Sequence, residues 1–160
     1  MRHTLLGQTM NQVLIRECTH QDLDGIFQLD RQWDEEGVAY VFTYASREDF
    51  MVDFERFQQY FFVAESNGQI IGYINGSVRV NEKVEVLPQQ ETYLEIENIY
   101  VRPEYRDRHV GGDLIERLLA TAEQNGIKRF IVSTVTKDME WILRFYRRYG
   151  FRPWFVELFK

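Results

Sequence analysis

Residues 95–119 read EIENIYVRPEYRDRHVGGDLIERLL. A strand-like run leads into a basic loop with paired glycines, and an amphipathic helix follows at once. That order builds an anion site. The free N–H groups of a first helical turn point at one spot, and the helix dipole favours negative charge there. Arg102, Arg106, Arg108 and His109 add positive side chains beside those amides. The arrangement points to a small ligand that carries phosphate.

The chain has 160 residues, the size of one domain with a sizeable core. Residues 1–12 lack periodicity and read as a loose tail, which leaves a single domain over residues 13–160. No apolar run is long enough for a membrane span, and the N-terminus has no signal-peptide core. The lone cysteine, Cys18, excludes an internal disulfide and fits a reducing cytoplasm. No group of Cys and His residues has metal-ligand spacing, so no metal is expected.

Net charge is −6, unevenly spread. Residues 22–58 hold ten acids against three bases, a local charge of −7. Such a chain is a poor nucleic-acid binder, because phosphate neutralisation dominates that affinity. The acidic segment suits a cationic small molecule. It also suits the solvated faces of two helices.

Residues 13–18 alternate as a first strand. Leu23, Ile26, Phe27, Asp30 and Trp33 fall at helical spacing, and Gly37 ends that helix. Ser46 is an N-cap with Asp49 three residues on; Phe50, Phe54 and Phe57 follow on one face. Between the two helices, Tyr40, Phe42 and Tyr44 make an aromatic connector. It either touches a ligand or is buried beneath the second helix. Residues 60–65 and 69–78 are strands joined by a Ser66-Asn67-Gly68 turn. Residues 81–91 read as a polar loop, and residues 92–101 as a strand.

The apolar parity of that strand flips. Leu94 and Ile96 are even, Ile99 and Val101 odd. A β-bulge at Glu97-Asn98 produces this, and so does an exposed strand end. After the glycine loop come a helix ending at Asn125-Gly126, a buried-type strand at 129–135, a helix at 138–149 and a final strand at 151–159. The expected fold is mixed α/β. It has a twisted sheet of about six to seven strands and four helices spread over both faces.

Two segments carry a resemblance: IYVRPEYRDRHVGGDLIERLL, and WILRFYRRYGF at 141–151. Together they resemble the GCN5-related N-acetyltransferases over residues 13–160. The acetyl-CoA motif of that family falls on Arg106, Asp107, Arg108, His109, Val110 and Gly111. His109 stands where the family has its first glycine. Met139 stands near a position where the family often has asparagine.

The resemblance implies acetyl-CoA as co-substrate and direct transfer to a primary amine. Amides of residues 106–112, Gly112 included, would hold the diphosphate, with Arg106 and Arg108 as charged helpers. Ile99, Tyr100 and Val101 would pair with the pantetheine arm and supply an oxyanion donor. Met139 and Phe145 would stand on the cofactor side, Phe145 also serving the core. Tyr146 would protonate the leaving thiolate; residues alone leave it an amphipathic core position.

Glu95 and Glu97, two apart on one strand, share a face. One of them would deprotonate the amine, while Glu97 equally suits holding the substrate ammonium. The acceptor is expected against the acidic segment, at Trp33, Glu36, Tyr40, Phe42 and Tyr44, with cation–π contacts. Polyamines and aminoglycoside- or streptothricin-like amines fit. A peptide acceptor and a non-catalytic acyl-CoA sensor are the alternatives. The apolar final strand, PWFVELF, is an edge that suits a homodimer.

Overall fold

The computed structural model describes residues 12–39 and 46–160. The expected tail and the aromatic connector at Tyr40, Phe42 and Tyr44 lie outside the described residues, apart from Gln12. The described elements are β1 (Leu14–Glu17), α1 (Leu23–Glu35), α2 (Arg47–Phe57), β2 (Phe61–Ser66), β3 (Gln69–Val80), β4 (Thr92–Val101), α3 (Val110–Gln124), β5 (Phe130–Val132) and α4 (Met139–Arg147). The strands form one mixed sheet in sequence order, antiparallel from β1 to β4 and parallel between β4 and β5. Among the described residues no helix is long and apolar enough to cross a membrane.

Strand alternation sends side chains to two cores, one on each face. Phe62, Ala64, Ile74 and Val101 pack with Leu114, Ile115 and Leu118 of α3 and with Tyr146 of α4. Their neighbours Phe61, Val63, Tyr73 and Tyr100 pack with Ile26 and Leu29 of α1 and with Phe50 and Phe54 of α2. Each fully buried Leu, Ile or Phe contributes about 1.5–3 kcal/mol. The expectation of helices on both faces is met. On α4 the most buried residue is Tyr146, while Trp141 of the expected stripe is half exposed.

Local signals behave as their chemistry requires. Ser46 Oγ accepts from the Asp49 amide at 3.0 Å and caps α2. Asn67 and Gly68 take positive φ values of 51° and 72°, and close the tight turn between β2 and β3. The 81–91 loop is organised by fully buried Asn81. Its amide group donates to the carbonyls of Val84, Leu87 and Pro88, and its oxygen accepts from the amides of Lys83 and Val84.

The expected six to seven strands become five among the described residues. Residues 151–159 form no ladder, and Phe155, Leu158 and Phe159 are largely exposed. A strand needs an edge to pair with, and β5 offers only three residues. Pro153 also lacks an amide to donate. The apolar run therefore meets the compositional rule for a strand but joins no ladder among the described residues.

Candidate active site

The bulge read from parity is present. Asn75 pairs with Asn98 and Gly76 with Ile96, so Glu97 is the extra residue of β4. The β4–β5 ladder covers Leu94, Glu95 and Ile96 and then stops. From Asn98 to Val101, β4 keeps β3 on one side and, among the described residues, has no strand on the other. Main-chain groups on that edge lack ladder partners, which is what an extended ligand arm and an oxyanion require.

The loop after β4 leads into α3, whose first-turn amides at Val110, Gly111 and Gly112 have no intrahelical acceptor. The left-handed positions of this loop are not its glycines. They are Asp107 (φ 58°) and His109 (φ 64°), while Gly111 and Gly112 lie inside the first turn of α3. His109 thus holds the backbone shape that a glycine would adopt freely, at a cost of about 1–2 kcal/mol. Gly112 is crowded by side-chain ends: a Cβ there would stand 2.5 Å from the His109 ring and 2.6 Å from the Tyr149 hydroxyl, and both would have to shift. Gly111 faces the Phe145 ring, 3.5 Å from where a Cβ would sit, and so joins the loop to α4.

Arg106 is held rather than free. Its Nε donates to the Val101 carbonyl at 2.8 Å, and its Nη2 donates to Glu36 at 2.9 Å. Glu36 also accepts from the Tyr100 hydroxyl at 2.5 Å. Burial and that bond push the Tyr100 phenol well above its ordinary value. Trp33 stacks on Tyr100 with centroids 5.5 Å apart. Two residues expected at the acceptor, Trp33 and Glu36, therefore join two expected at the cofactor, Tyr100 and Arg106. Arg108 lies over the Tyr105 ring instead. The Arg102 Nε is buried with no partner among the described residues, an unsatisfied donor beside the loop.

Glu95 and Glu97 share one cation. Arg79 of β3 donates to Glu95 Oε2 at 2.5 Å and to Glu97 Oε1 at 2.8 Å. The buried Ser77 hydroxyl also donates to Glu97 Oε1, at 2.5 Å. Asp53 of α2 faces this group; burial and the nearby Glu97 charge raise its carboxyl. Ser77, Arg79 and Asp53 escaped the sequence reading, because only the β3–β4 register shows what they face.

Tyr146 is buried beside Phe145 and Phe151, with ring centroids 5.1 and 5.4 Å away. Burial holds its phenol well above the ordinary tyrosine range. Met139 opens α4 and is exposed, beside a surface cleft that it lines with Gly37, Val38, Lys137, Asp138 and Glu140. Lys137 ties this cleft to the end of α1, its amide donating to Val38 and its Nζ to Gly37. His109, Asp113 and Glu116 are exposed and bring their donor atoms within 4.8 Å of one another. Cys18, pushed up to about 12 by burial, is a packed thiol rather than a nucleophile.

Residues 14–151 match the Acetyltransferase (GNAT) family. An amino-acid acetyltransferase of Pseudomonas putida is 30% identical over 155 residues, covering 96% of this chain and 31% of that protein. An amino-acid acetyltransferase of Aeromonas salmonicida is 28% identical over 142 residues, covering 89% of this chain and 27% of that protein. The chain thus spans about three tenths of the length of these curated relatives. Among solved structures, the aminoglycoside acetyltransferase AAC(6')-Iy, in complex with a bisubstrate analog of CoA and acetylneamine, superposes with a TM-score of 0.70. It is 20% identical, with 93% of this chain and 97% of that chain covered. A predicted acetyltransferase of Clostridium acetobutylicum with acetyl-CoA gives a TM-score of 0.69 at 18% identity, covering 92% of this chain and 96% of that chain. The chain belongs to the acetyltransferase (GNAT) family.

Proposed function

We propose that this family member moves the acetyl group of acetyl-CoA to the primary amine of a small cationic molecule by direct attack. The observation that carries the reading is the parting of β4 from β5 beyond Ile96, next to the open amides of α3. The gap offers main-chain groups to a pantetheine arm, and the α3 turn offers amides to a diphosphate. The unsatisfied Arg102 Nε fits such a ligand.

In this reading Glu97 takes a proton from the acceptor amine as its nitrogen bonds to the thioester carbonyl carbon. A free β4 amide between Ile99 and Val101 holds the charge on the carbonyl oxygen. The carbon–sulfur bond then breaks, and Tyr146 gives its proton to the leaving sulfur. Solvent returns the proton from Glu97 to the Tyr146 phenolate. The products are an amide and coenzyme A. A raised phenol suits this role, because Tyr146 stays protonated until the thiolate forms. Glu95 supports the negative field at the acceptor side.

The charge of −7 over residues 22–58, with Asp53 facing Glu97, supports a cationic acceptor such as a polyamine or an aminoglycoside. A second reading, an amino-acid acceptor, is favoured by the amino-acid acetyltransferases among the sequence relatives. Titration calorimetry with coenzyme A and acetyl-CoA tests the donor site. A steady-state panel of spermidine, kanamycin, L-lysine and L-glutamate tests the acceptor. Cationic acceptors are expected to turn over best; preference for glutamate selects the second reading. Absence of heat with both coenzyme A forms, on folded protein, removes the donor site itself. The exposed 154–159 segment supports a homodimer, which sedimentation would detect.

A further inference from the structure

Glu97 is gripped on one oxygen only. The Ser77 hydroxyl and the Arg79 guanidinium both donate to its Oε1, at 2.5 and 2.8 Å. No described donor reaches Oε2. The donors come from β3, whose register with β4 is continuous here, with Ser77 opposite Glu95 and Arg79 opposite Tyr93. Ser77 is almost wholly buried. A buried hydroxyl so placed has one job available, which is to fix the carboxylate of the bulged residue.

The bulge makes this grip necessary. An extra residue in a ladder has no cross-strand partner to hold it, so its side chain needs an anchor of its own. The groups that face Glu97 are Ser77 and Arg79 of β3, Glu95 of β4 through the shared Arg79, and Asp53 of α2. Three carboxylates around one guanidinium would repel one another if Arg79 were absent.

We propose that Ser77 and Arg79 are positioning residues: they clamp Oε1 of Glu97 and leave Oε2 as the atom that receives the acceptor's proton. Ser77 supplies direction from a buried, fixed point. Arg79, partly exposed, supplies direction and neutralises the carboxylates. The inference rests on the reading of Glu97 as proton acceptor.

The test is a mutant cycle on the purified chain, with acetyl-CoA and the best acceptor of the panel above. Glu97→Gln comes first. Full turnover in that variant overturns the reading of Glu97, and the clamp with it. If Glu97→Gln is slow, Ser77→Ala is expected to lower kcat about 10-fold, with KM within about twofold. This is the scale of a misplaced general base. Arg79→Met is expected to fall similarly, and Arg79→Lys to regain part of the loss. Ser77→Thr, which keeps the hydroxyl, should lose less than Ser77→Ala.

The deciding comparison is made in the Glu97→Gln background. There Ser77→Ala and Arg79→Met should cost little more, because the group they position is gone. Equal losses with and without Glu97 would show that they act elsewhere, and would overturn the clamp. So would an unchanged kcat in both single variants. If Ser77→Ala does not fold, Arg79→Met carries the same comparison from the surface.

Discussion

The Glu36 carboxylate holds the Arg106 guanidinium at 2.9 Å across 70 positions of sequence. One end of this pair closes the first helix, and the other opens the loop before α3. The acidic side of the molecule and the proposed anion-binding turn are thereby one mechanical unit. Glu36→Ala should weaken coenzyme A binding about 5- to 10-fold, near 1 kcal/mol, as the loop loses its anchor. Glu36→Gln keeps a hydrogen bond and should lose less. Calorimetry reads both. Tighter binding in Glu36→Ala would instead show that a released Arg106 serves the diphosphate.

Tyr146→Phe should lower kcat about 10- to 100-fold and leave the melting temperature nearly unchanged. The ring stays in its core, between Phe145 and Phe151. The sign of the pH effect follows from burial. A phenol raised above about 10 remains an acid through that pH, so Tyr146 should cause no alkaline fall in kcat below it. A tyrosine-dependent fall near pH 8, absent in the Phe variant, would contradict the assignment.

Gly112→Ala should cost no more than about 1 kcal/mol, because the new methyl group displaces only the far ends of the His109 and Tyr149 side chains, while alanine favours a helix over glycine by about as much. Removing those neighbours tests the cause. The Gly112→Ala cost should shrink when His109→Ala and Tyr149→Phe are added. A cost unchanged in the triple variant would place the strain in the α3 backbone instead. Chemical denaturation measures each step.

Asp22 is buried and accepts from both Arg16 guanidinium nitrogens, at 2.7 and 2.8 Å, and from the Thr19 amide at 2.8 Å. The bond to Arg16 holds its carboxyl below the usual range, ahead of the opposing effect of burial. A depressed carboxyl stabilises the fold above its unfolded value of about 3.9, and that support is lost as pH falls further. Asp22→Asn should cost about 2–3 kcal/mol at pH 7 and much less at pH 3. Equal costs at the two pH values, from urea unfolding, would discount the charge.

The legible parts of this chain were those written in local chemistry. The parity flip from Leu94 and Ile96 to Ile99 and Val101 marked the bulge, because side chains alternate strictly along a ladder. Ser46 declared the start of α2 by its hydroxyl, and Asn67-Gly68 declared a turn. The Arg79–Glu97–Ser77 group was hidden, since it depends on which β3 residue lies opposite which β4 residue. The left-handed loop positions were hidden too. The paired glycines drew attention to 111 and 112, while Asp107 and His109 carry the unusual φ. Residues 151–159 misled for the opposite reason: their pattern suits a strand, and pairing is a property of the neighbour.

A sheet that stops knitting halfway, as this one does past Ile96, leaves a slot whose width is dictated by peptide units. In the proposed function, recognition of the donor is then written in backbone, which most substitutions cannot erase. The acceptor wall of that proposal is written in side chains from α1 and α2, where a substitution changes the surface directly. Such a scaffold can exchange one amine for another over evolutionary time while its hold on the acyl carrier stays the same.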